Sequence, residues 1–473
     1  MPPALPPTLA RLGRDVVLTG LAFVVLALSI TSEPSWKLDD FDQSFYITIA
    51  YDLDRHGVFS NGVFDELNSP AAAPPAGMFF GPVYPLLVLA GMKVDRRFDS
   101  AVACSVEANR EHREEAACEP YATPMRIIHA LLLALGVLAV ANAGELIFPG
   151  RAMFWLTGAL ATASLALEAN IFSFVMTESV TFSLYSVFAL ALVFAWTRGR
   201  AWDFVLAGGL LGALCLTRPS FLVLFPVVTG LSLLYGYRLS GPRRTSTATH
   251  VLALTLAFAA IVGSWAVRNA VSVGKFGLTE EYGSVTLIER FAYNDMTAWE
   301  FALAFPYCMP GIGDLAFDRV YGTDSMHRFV YHTRDSFFHA GRGRRDLLLE
   351  EHARLDPLIG GIVRDEMHAN WWRHLLVSIP LAWCGMWAGS ELSLLLLPLF
   401  GWACLRAVRQ SQPLLLLYAA PAIAMLGLHA AVANHYTRYN LILIGPFAVG
   451  AASIISGWVA KVRWRSRALA PEP

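Results

Sequence analysis

Three carboxylates, Asp39, Asp40 and Asp42, follow the first long apolar segment of this 473-residue chain. Acids placed just outside a membrane can accept a proton from a hydroxyl group or bind a divalent cation through hard oxygen ligands. The apolar residues that come next recur at four-residue spacing, which predicts a short amphipathic helix over 42–55, resting on the membrane. Asp42 would then lie at the helix start, where capping is the competing interpretation. Three acids within four positions are more than capping requires, so both interpretations stay open.

Further charged residues lie at the ends of apolar segments, where charge is costly in lipid and therefore a candidate for function. Glu178 would orient an acceptor group or help to bind a divalent cation, and an acid that favours an interfacial helix start is the alternative. Arg218, Arg268 and Arg438 lie at segment ends expected to face the same side, and a guanidinium can bind phosphate in a bidentate manner. Arginines that reach lipid headgroups are the competing interpretation.

The composition is that of a membrane protein, because 55% of the residues are hydrophobic and only 15% are charged, with a mean hydropathy of +0.48. A formal net charge of -1 offers no general attraction for nucleic acid. The sequence contains no nucleotide-binding loop of the G-x-x-x-x-G-K-[ST] type, no zinc-protease motif and no dinucleotide fingerprint. ATP-driven transport therefore has no support.

The apolar segments predict an all-α, polytopic membrane protein with about ten transmembrane helices. Basic residues such as Arg151, Arg238 and Arg406 fall in every alternate connection, which places both termini in the cytoplasm by the positive-inside rule. The predicted spans are 14–32, 127–148, 152–170, 178–197, 202–217, 219–236, 249–267, 388–405, 413–431 and 440–459.

Two large loops, 33–125 and 268–387, then face outward and are expected to hold the chemistry. The chain divides into an N-terminal membrane module over 1–267, the second loop, and C-terminal transmembrane helices with a cytoplasmic tail over 388–473. Segment 79–94 is apolar but short, so we expect a helix along the outer membrane surface. The same alternative, spanning or lying on the membrane, stays open for 374–388.

The cysteines test this topology. Cys104 and Cys118 flank a polar segment of the first outward loop, and an oxidising periplasm would let them form a disulfide. Cys308 would then stay unpaired outside. The other cysteines lie in apolar surroundings and are expected to be small buried hydrophobic residues: Cys215, Cys384 and Cys404.

Short motifs occur in order along most of the chain. They are Asp42-x-x-x-Tyr46-x-x-x-Ala50, His56-Gly57-x-Phe59, Pro82-x-Tyr84-Pro85, Thr177-Glu178, Thr217-Arg218-Pro219, Trp265-x-x-Arg268-Asn269 and Arg438-Tyr439. These motifs resemble those of the C-type (GT-C) glycosyltransferases, which use polyprenyl-phosphate sugars. This superfamily includes protein O-mannosyltransferases, lipid A aminoarabinose transferases and lipopolysaccharide-core transferases.

The resemblance implies a GT-C-like fold and transfer of a monosaccharide from a polyprenyl-phosphate donor to a periplasmic acceptor, at a bacterial inner membrane. The acceptor would be lipid A, core oligosaccharide, another glycan or a protein. Asp42 would be the base and Glu178 the second carboxylate, while arginines hold the departing phosphate. The residues expected to contact the acceptor or line the sugar pocket are Tyr46, His435, Tyr439 and Glu289.

Two departures from the superfamily pattern leave the particular member open. Gln43 stands where many members have Glu, and Phe80-Gly81-Pro82 stands where aminoarabinose transferases have Glu-Lys-Pro. A lysine that would meet the lipid phosphate is therefore missing. A lipid flippase or transporter, and a scaffold subunit of an envelope-assembly complex, remain as alternatives, although a transporter would carry polar residues at mid-span.

Overall fold

The computed structural model describes residues 7–62, 73–111, 117–239, 244–330, 333–352, 354–434 and 436–468. These residues form helices joined by short connections, and they contain no β-strand. The N-terminal part consists of α1 (Pro7–Ser32), α2 (Gln43–His56), α3 (Val83–Val94) and α4 (Arg96–Arg110).

Seven helices follow, and most of them belong to the transmembrane bundle. They are α5 (Thr123–Ile147), α6 (Arg151–Leu167), α7 (Ala169–Ser173), α8 (Glu178–Arg198), α9 (Ala201–Thr217), α10 (Leu224–Leu234) and α11 (Arg244–Ser272).

The second loop is also helical, and the last three helices return to the bundle. Its members are α12 (Tyr282–Phe291), α13 (Ala298–Tyr307), α14 (Asp318–Tyr321), α15 (Phe337–His352) and α16 (Asp356–Gly385), followed by α17 (Ser393–Arg409), α18 (Pro413–Val432) and α19 (Ile444–Ala468). A short 3-10 helix over Thr437–Leu443 leads into α19.

Eight of the described helical segments are long and apolar enough to cross a membrane. Each overlaps one predicted span, and the other two predicted spans, 152–170 and 202–217, correspond to α6 and α9, each 17 residues long. Helices of that length measure about 25 Å, near the lower limit for a hydrocarbon core of about 30 Å. The prediction of an all-α polytopic membrane protein is therefore confirmed.

The helices of the bundle approach one another closely where small residues face a neighbour. α5 packs against α1, α6 and α8, and α9 packs against α8 and α11. A Cβ atom at Gly208 of α9 would overlap the carbonyl oxygen of Leu254 in α11. Because lipid is as apolar as the side chains, such close packing contributes strongly to helix association in membranes.

α2 begins one residue after the predicted start, but its surroundings differ from the expectation. The helix was expected to rest on the membrane, whereas most of its residues are buried in a protein core shared with α3 and α4. Tyr84 and Phe98 are fully covered in this core. Of the apolar residues that suggested a membrane face, Ile49 is buried against these later helices, while Phe45 and Leu53 are partly exposed.

The two segments of uncertain placement form different structures. α3 has 12 residues and measures about 18 Å, which is too short to cross a membrane. Residues 374–385 belong to the second half of α16, a 30-residue helix that is kinked at Asn370. Trp371, Leu375 and Ile379 on this half are more than half exposed.

Two disulfides lie in the segments 33–125 and 268–387. Cys104 in α4 is joined to Cys118, the pair expected from the sequence. Cys308 is joined to Cys384, so the expectation that Cys308 stays unpaired and that Cys384 is only a buried apolar residue is wrong. The sequence hides this pair because Cys308, at the end of α13, meets the last turn of α16 only after the second loop has folded.

Candidate functional site

Asp42 lies at the position before α2, yet its side chain makes no capping hydrogen bond to the helix. Its carboxylate is half exposed and accepts a hydrogen bond of 3.0 Å from Arg438 Nη2. Capping therefore does not account for this acid, because its oxygen is directed at a guanidinium from the other end of the chain.

Gln43 fixes the segment that carries Asp42. Its buried amide nitrogen donates to the carbonyl oxygens of Lys37 (3.1 Å) and Asp40 (3.2 Å), while its amide oxygen accepts a 2.7 Å hydrogen bond from the Val175 N–H. A glutamate could not donate to the two carbonyls. The amide of Gln43 therefore has a structural role that a carboxylate could not fill.

Glu178 is the first residue of α8, and only 4% of its surface is exposed. Its Oε1 lies 3.9 Å from Arg218 Nη1, and its buried Oε2 has no hydrogen-bond partner among the protein atoms. A buried carboxylate oxygen normally has a partner. Glu178 therefore retains the capacity to bind a hydroxyl group of a ligand.

Arg218 and Arg438 share one aromatic ring. The guanidinium carbons of both lie about 5 Å from the ring centre of Tyr439, at 5.0 and 5.2 Å. Burial lowers the pKa of Arg218, but the Glu178 carboxylate and the nearby phenols raise it more, so the net shift is upward. Arg218 is therefore cationic at any physiological pH.

Asp42, Glu178, Arg218 and Arg438 form a charged cluster. Tyr46 borders this cluster on the first-loop side. The Tyr46 ring packs against Phe80 and Tyr84, each at 5.0 Å between centroids. Burial raises the pKa of Tyr46 well above its usual value, and the charges of Tyr282 and Asp42 add to the shift. The Tyr46 hydroxyl therefore stays protonated and able to donate a hydrogen bond.

Tyr282, at the start of α12, was not identified from the sequence. Its ring packs against Phe79 (5.5 Å) and Phe80 (5.7 Å), and burial raises its pKa to about 12, partly offset by Arg218. This residue brings the second large loop to the cluster. No spacing or motif marks it, since it follows two glutamates at the beginning of a loop.

Gly81 explains how the first loop reaches the cluster. A Cβ atom at this position would overlap the carbonyl oxygen of Leu216, two residues before Arg218. Only glycine allows the backbone of Phe80 and Gly81 to lie against the end of α9. A side chain at this position, such as the lysine of the Glu-Lys-Pro motif in aminoarabinose transferases, would not fit this close backbone packing.

Reciprocal capping fixes the position of Tyr282. The Glu281 carboxylate accepts hydrogen bonds from the backbone N–H groups of Leu355 (2.6 Å) and Asp356 (3.2 Å) at the start of α16. The Asp356 carboxylate accepts in turn from the Glu281 N–H (2.9 Å) and from the Ser284 hydroxyl. Each helix start is thus capped by an acid from the other.

Of the predicted site residues, two make their contacts away from the charged cluster and a third is not among the described residues. Arg268 donates to the carbonyl oxygens of Gly77 (2.6 Å) and Phe59 (3.1 Å), so its guanidinium links α11 to the first loop. Glu289 pairs with Arg345 at 2.7 Å, and burial raises its pKa. His435 lies outside the described residues.

The described part of the chain contains no group of three or more His, Cys, Asp or Glu side chains that could hold a metal ion. Asp42 and Glu178 each face a guanidinium, and those fixed positive charges disfavour a cation between them. The donor set therefore does not fit a divalent cation. The arrangement can instead bind an anionic group at two guanidiniums while a half-exposed carboxylate accepts a proton.

No protein-family model matches this chain, and no curated protein sequence matches it. Solved structures of the Archaeoglobus fulgidus oligosaccharyltransferase are similar to it. The complex with zinc and sulfate has 13% identity and a TM-score of 0.49, covering 95% of this chain and 50% of that one. The form tethered to an acceptor peptide has 12% identity, a TM-score of 0.48 and the same coverage.

The apo form of that oligosaccharyltransferase has 12% identity and a TM-score of 0.47, covering 97% of this chain and 52% of that one. This chain spans about half the length of these structures. A similarity of this size assigns neither a family nor an activity.

Proposed function

We propose that this protein is an integral membrane glycosyltransferase of the GT-C type. It transfers a monosaccharide from a polyprenyl-phosphate donor to an acceptor on the periplasmic side of a bacterial inner membrane. The observation that carries the proposal is the pairing of Asp42 with Arg438, beside the pairing of Glu178 with Arg218.

The reaction uses these groups in one displacement. An acceptor hydroxyl oxygen attacks the anomeric carbon of the sugar, its proton passes to an oxygen of Asp42, and the bond between the anomeric carbon and the phosphate oxygen breaks with its electron pair on the phosphate. Arg438 and Arg218 stabilise the charge that develops on the leaving phosphate. The products are the glycosylated acceptor and the lipid phosphate.

Glu178 and the tyrosines orient the substrates. The unpartnered Oε2 of Glu178 accepts a hydrogen bond from a sugar or acceptor hydroxyl, while its Oε1 side faces Arg218. Tyr46 and Tyr439 border the same space, and Tyr46 remains a neutral hydrogen-bond donor. Such fixed groups raise the rate by holding the reacting atoms in place.

The site and its setting support a lipid-phosphate-linked sugar as the donor. Two guanidiniums suit a phosphate group, and their position at the ends of apolar helices suits a phosphate whose lipid tail lies in the bilayer. Basic residues in alternate connections support a site on the outer side. The two disulfides in the outward loops fit an oxidising compartment.

Transfer from labelled polyprenyl-phosphate sugars, measured in proteoliposomes with periplasmic glycans and glycolipids as acceptors, tests the proposal. Asp42→Asn retains size but cannot accept the proton, so we expect turnover to fall by about 10²- to 10⁴-fold. Glu178→Gln should also reduce turnover without preventing folding. Asp99→Asn, a carboxylate paired with Arg55 away from the site, is the matched control and should keep full activity.

Several results would contradict this function. Movement of the labelled lipid across the bilayer without cleavage of the sugar–phosphate bond would indicate a flippase. Near-normal transfer by Asp42→Asn would remove the base, and loss of activity in Asp40→Asn alone would move that role to Asp40. Absence of both transfer and lipid movement would favour the scaffold alternative.

A further inference from the structure

Three aromatic side chains lie next to Asp42 and take no part in the proposed reaction. Trp36 and Phe174 stack with centroids 5.0 Å apart and planes 19° apart. Phe41 meets the Phe174 ring edge-on at 5.6 Å. We refer to Trp36, Phe41 and Phe174 as the aromatic platform.

The platform residues lie on two chain segments, and hydrogen bonds join these segments to each other. Arg126, in the first turn of α5, donates to the carbonyl oxygens of Glu33 (2.9 Å) and Ser173 (3.2 Å), which adjoin the two segments. Gln43 adds the hydrogen bond to Val175. The platform is therefore preformed at the outer end of the bundle, and a ligand need not order it.

Phe41 has an unfavourable backbone conformation and an unfavourable environment. Its φ of 56° lies in the left-handed region, which a bulky residue rarely adopts, and its side chain is 50% exposed. Core packing therefore does not explain the choice of phenylalanine. Strained residues that the surrounding structure holds in place occur preferentially at functional sites.

The platform is continuous with the charged cluster through both of its segments. Phe41 directly precedes Asp42. The sulfur of Met176, two residues after Phe174, lies 3.5 Å from Arg438 Nη1. The other terminal nitrogen of Arg438 donates a hydrogen bond to Asp42. A molecule seated on the platform therefore lies beside the carboxylate that would take the proton.

We propose that the aromatic platform binds a sugar ring of the acceptor, so the acceptor is a saccharide, free or lipid-linked. This inference rests on the function proposed above. A pyranose presents a face of C–H groups, which carry partial positive charge and pack on the negative face of an aromatic ring. Its hydroxyls remain at the edge, where one of them can reach Asp42.

Contact with the bilayer is the competing role for the platform, because Trp36 follows α1 closely and tryptophan is common at membrane interfaces. Two observations favour the sugar. Lys37 and Asp39, one and three positions after Trp36, are exposed charged residues, which favours an aqueous setting for this segment. A bilayer contact also gives no reason for strain at the residue next to Asp42.

Saturation-transfer NMR on the full-length protein in nanodiscs tests the inference. The probes are methyl glycosides of hexoses and N-acetylhexosamines, together with lipopolysaccharide core oligosaccharide. We expect saturation of sugar C–H protons by the wild type, and a Kd about tenfold higher in Phe41→Gly and in Trp36→Leu. Phe276→Ala, which removes an aromatic residue that is 77% exposed in the second loop, is the matched control.

Two features keep the test independent of folding and of the proposed chemistry. Glycine adopts positive φ without strain, which offsets the lost ring contacts of Phe41, so Phe41→Gly should still fold, as the midpoint of thermal unfolding measures. Asp42→Asn should retain sugar binding even when transfer is lost, which separates failure of the base from failure of the platform.

The inference is overturned if no probe receives saturation, or if Phe41→Gly and Trp36→Leu bind sugars as well as the wild type. The chain has 13 tryptophans, so the emission of Trp36 is taken as the difference between the wild type and Trp36→Leu. Quenching of that difference by brominated phospholipids would assign the platform to the bilayer instead.

Discussion

Arg438 Nη2 donates a hydrogen bond of 3.0 Å to Asp42 Oδ2, although 396 residues separate the two in the chain. The pair joins the first large loop to the connection before α19. In the proposed reaction this guanidinium serves two anions, the Asp42 carboxylate and the donor phosphate. Binding of the phosphate would draw Arg438 from Asp42 and leave the carboxylate free to accept a proton.

Arg438→Lys tests the double role of this guanidinium. Lysine keeps the charge but lacks the planar set of donors that can meet a carboxylate and a phosphate together. We expect kcat/KM for the lipid donor to fall by about 10- to 100-fold, measured with varied donor at saturating acceptor. Arg406→Lys, at an exposed position that bonds Gln410, should behave as the wild type. Unchanged donor kinetics in Arg438→Lys would exclude phosphate binding by this residue.

Gln43→Glu tests the structural role of the Gln43 amide. The glutamate cannot donate to the Lys37 and Asp40 carbonyls, so two acceptors lose their partner and stability falls by about 1–3 kcal/mol. The midpoint of thermal unfolding in detergent should therefore decrease. Sugar transfer should also weaken, because Asp42 belongs to the segment that these hydrogen bonds hold in place. Gln410→Glu, at an exposed position, is the control. Equal midpoints for both variants would contradict the structural role of Gln43.

The sequence was sufficient for the transmembrane helices, because spanning segments must satisfy their backbone internally and therefore have a fixed length and composition. It also placed Asp42, Glu178, Arg218 and Arg438 at the ends of helices that the structure brings together. Arg268 resembled these arginines in sequence, but its donors bind backbone carbonyls of the first loop.

The loops were harder to predict, because their contacts join residues far apart in sequence. The pairing of Cys308 with Cys384 depends on how α13 meets α16, and Tyr282 reaches the cluster only through the capping of α12 by α16. Neither the disulfide nor the capping interaction produces a periodic pattern in the sequence. The burial of α2 escaped prediction for the same reason.

Cysteine labelling tests the orientation of the bundle. In a Cys215→Ala, Cys404→Ala background, cysteines introduced at the exposed positions Arg96 and Val320 should react with a membrane-impermeant maleimide added to intact spheroplasts. Cysteines at Trp202 and Gln410 should react only after permeabilisation, because basic residues beside them favour the cytoplasmic side. External labelling at Trp202 would reverse the orientation and place the candidate site in the cytoplasm.

The reciprocal caps make a prediction about the second loop. If Glu281 and Asp356 hold the starts of α12 and α16 together, Glu281→Ala and Asp356→Ala should each cost about 1 kcal/mol, and the double variant should cost less than their sum. Amide hydrogen exchange at 281–285 and 355–359 measures this coupling. Both single variants should also lower transfer, because Tyr282 would lose its fixed position beside Arg218.

Tyr282→Phe separates the ring from the hydroxyl. The phenylalanine ring keeps the packing against Phe79 and Phe80, so exchange at the caps should match the wild type. If the hydroxyl contacts a substrate, kcat/KM should still fall, by about tenfold for one lost hydrogen bond. Full activity in Tyr282→Phe together with reduced activity in Glu281→Ala would mean that the second loop contributes shape to the site and no polar contact.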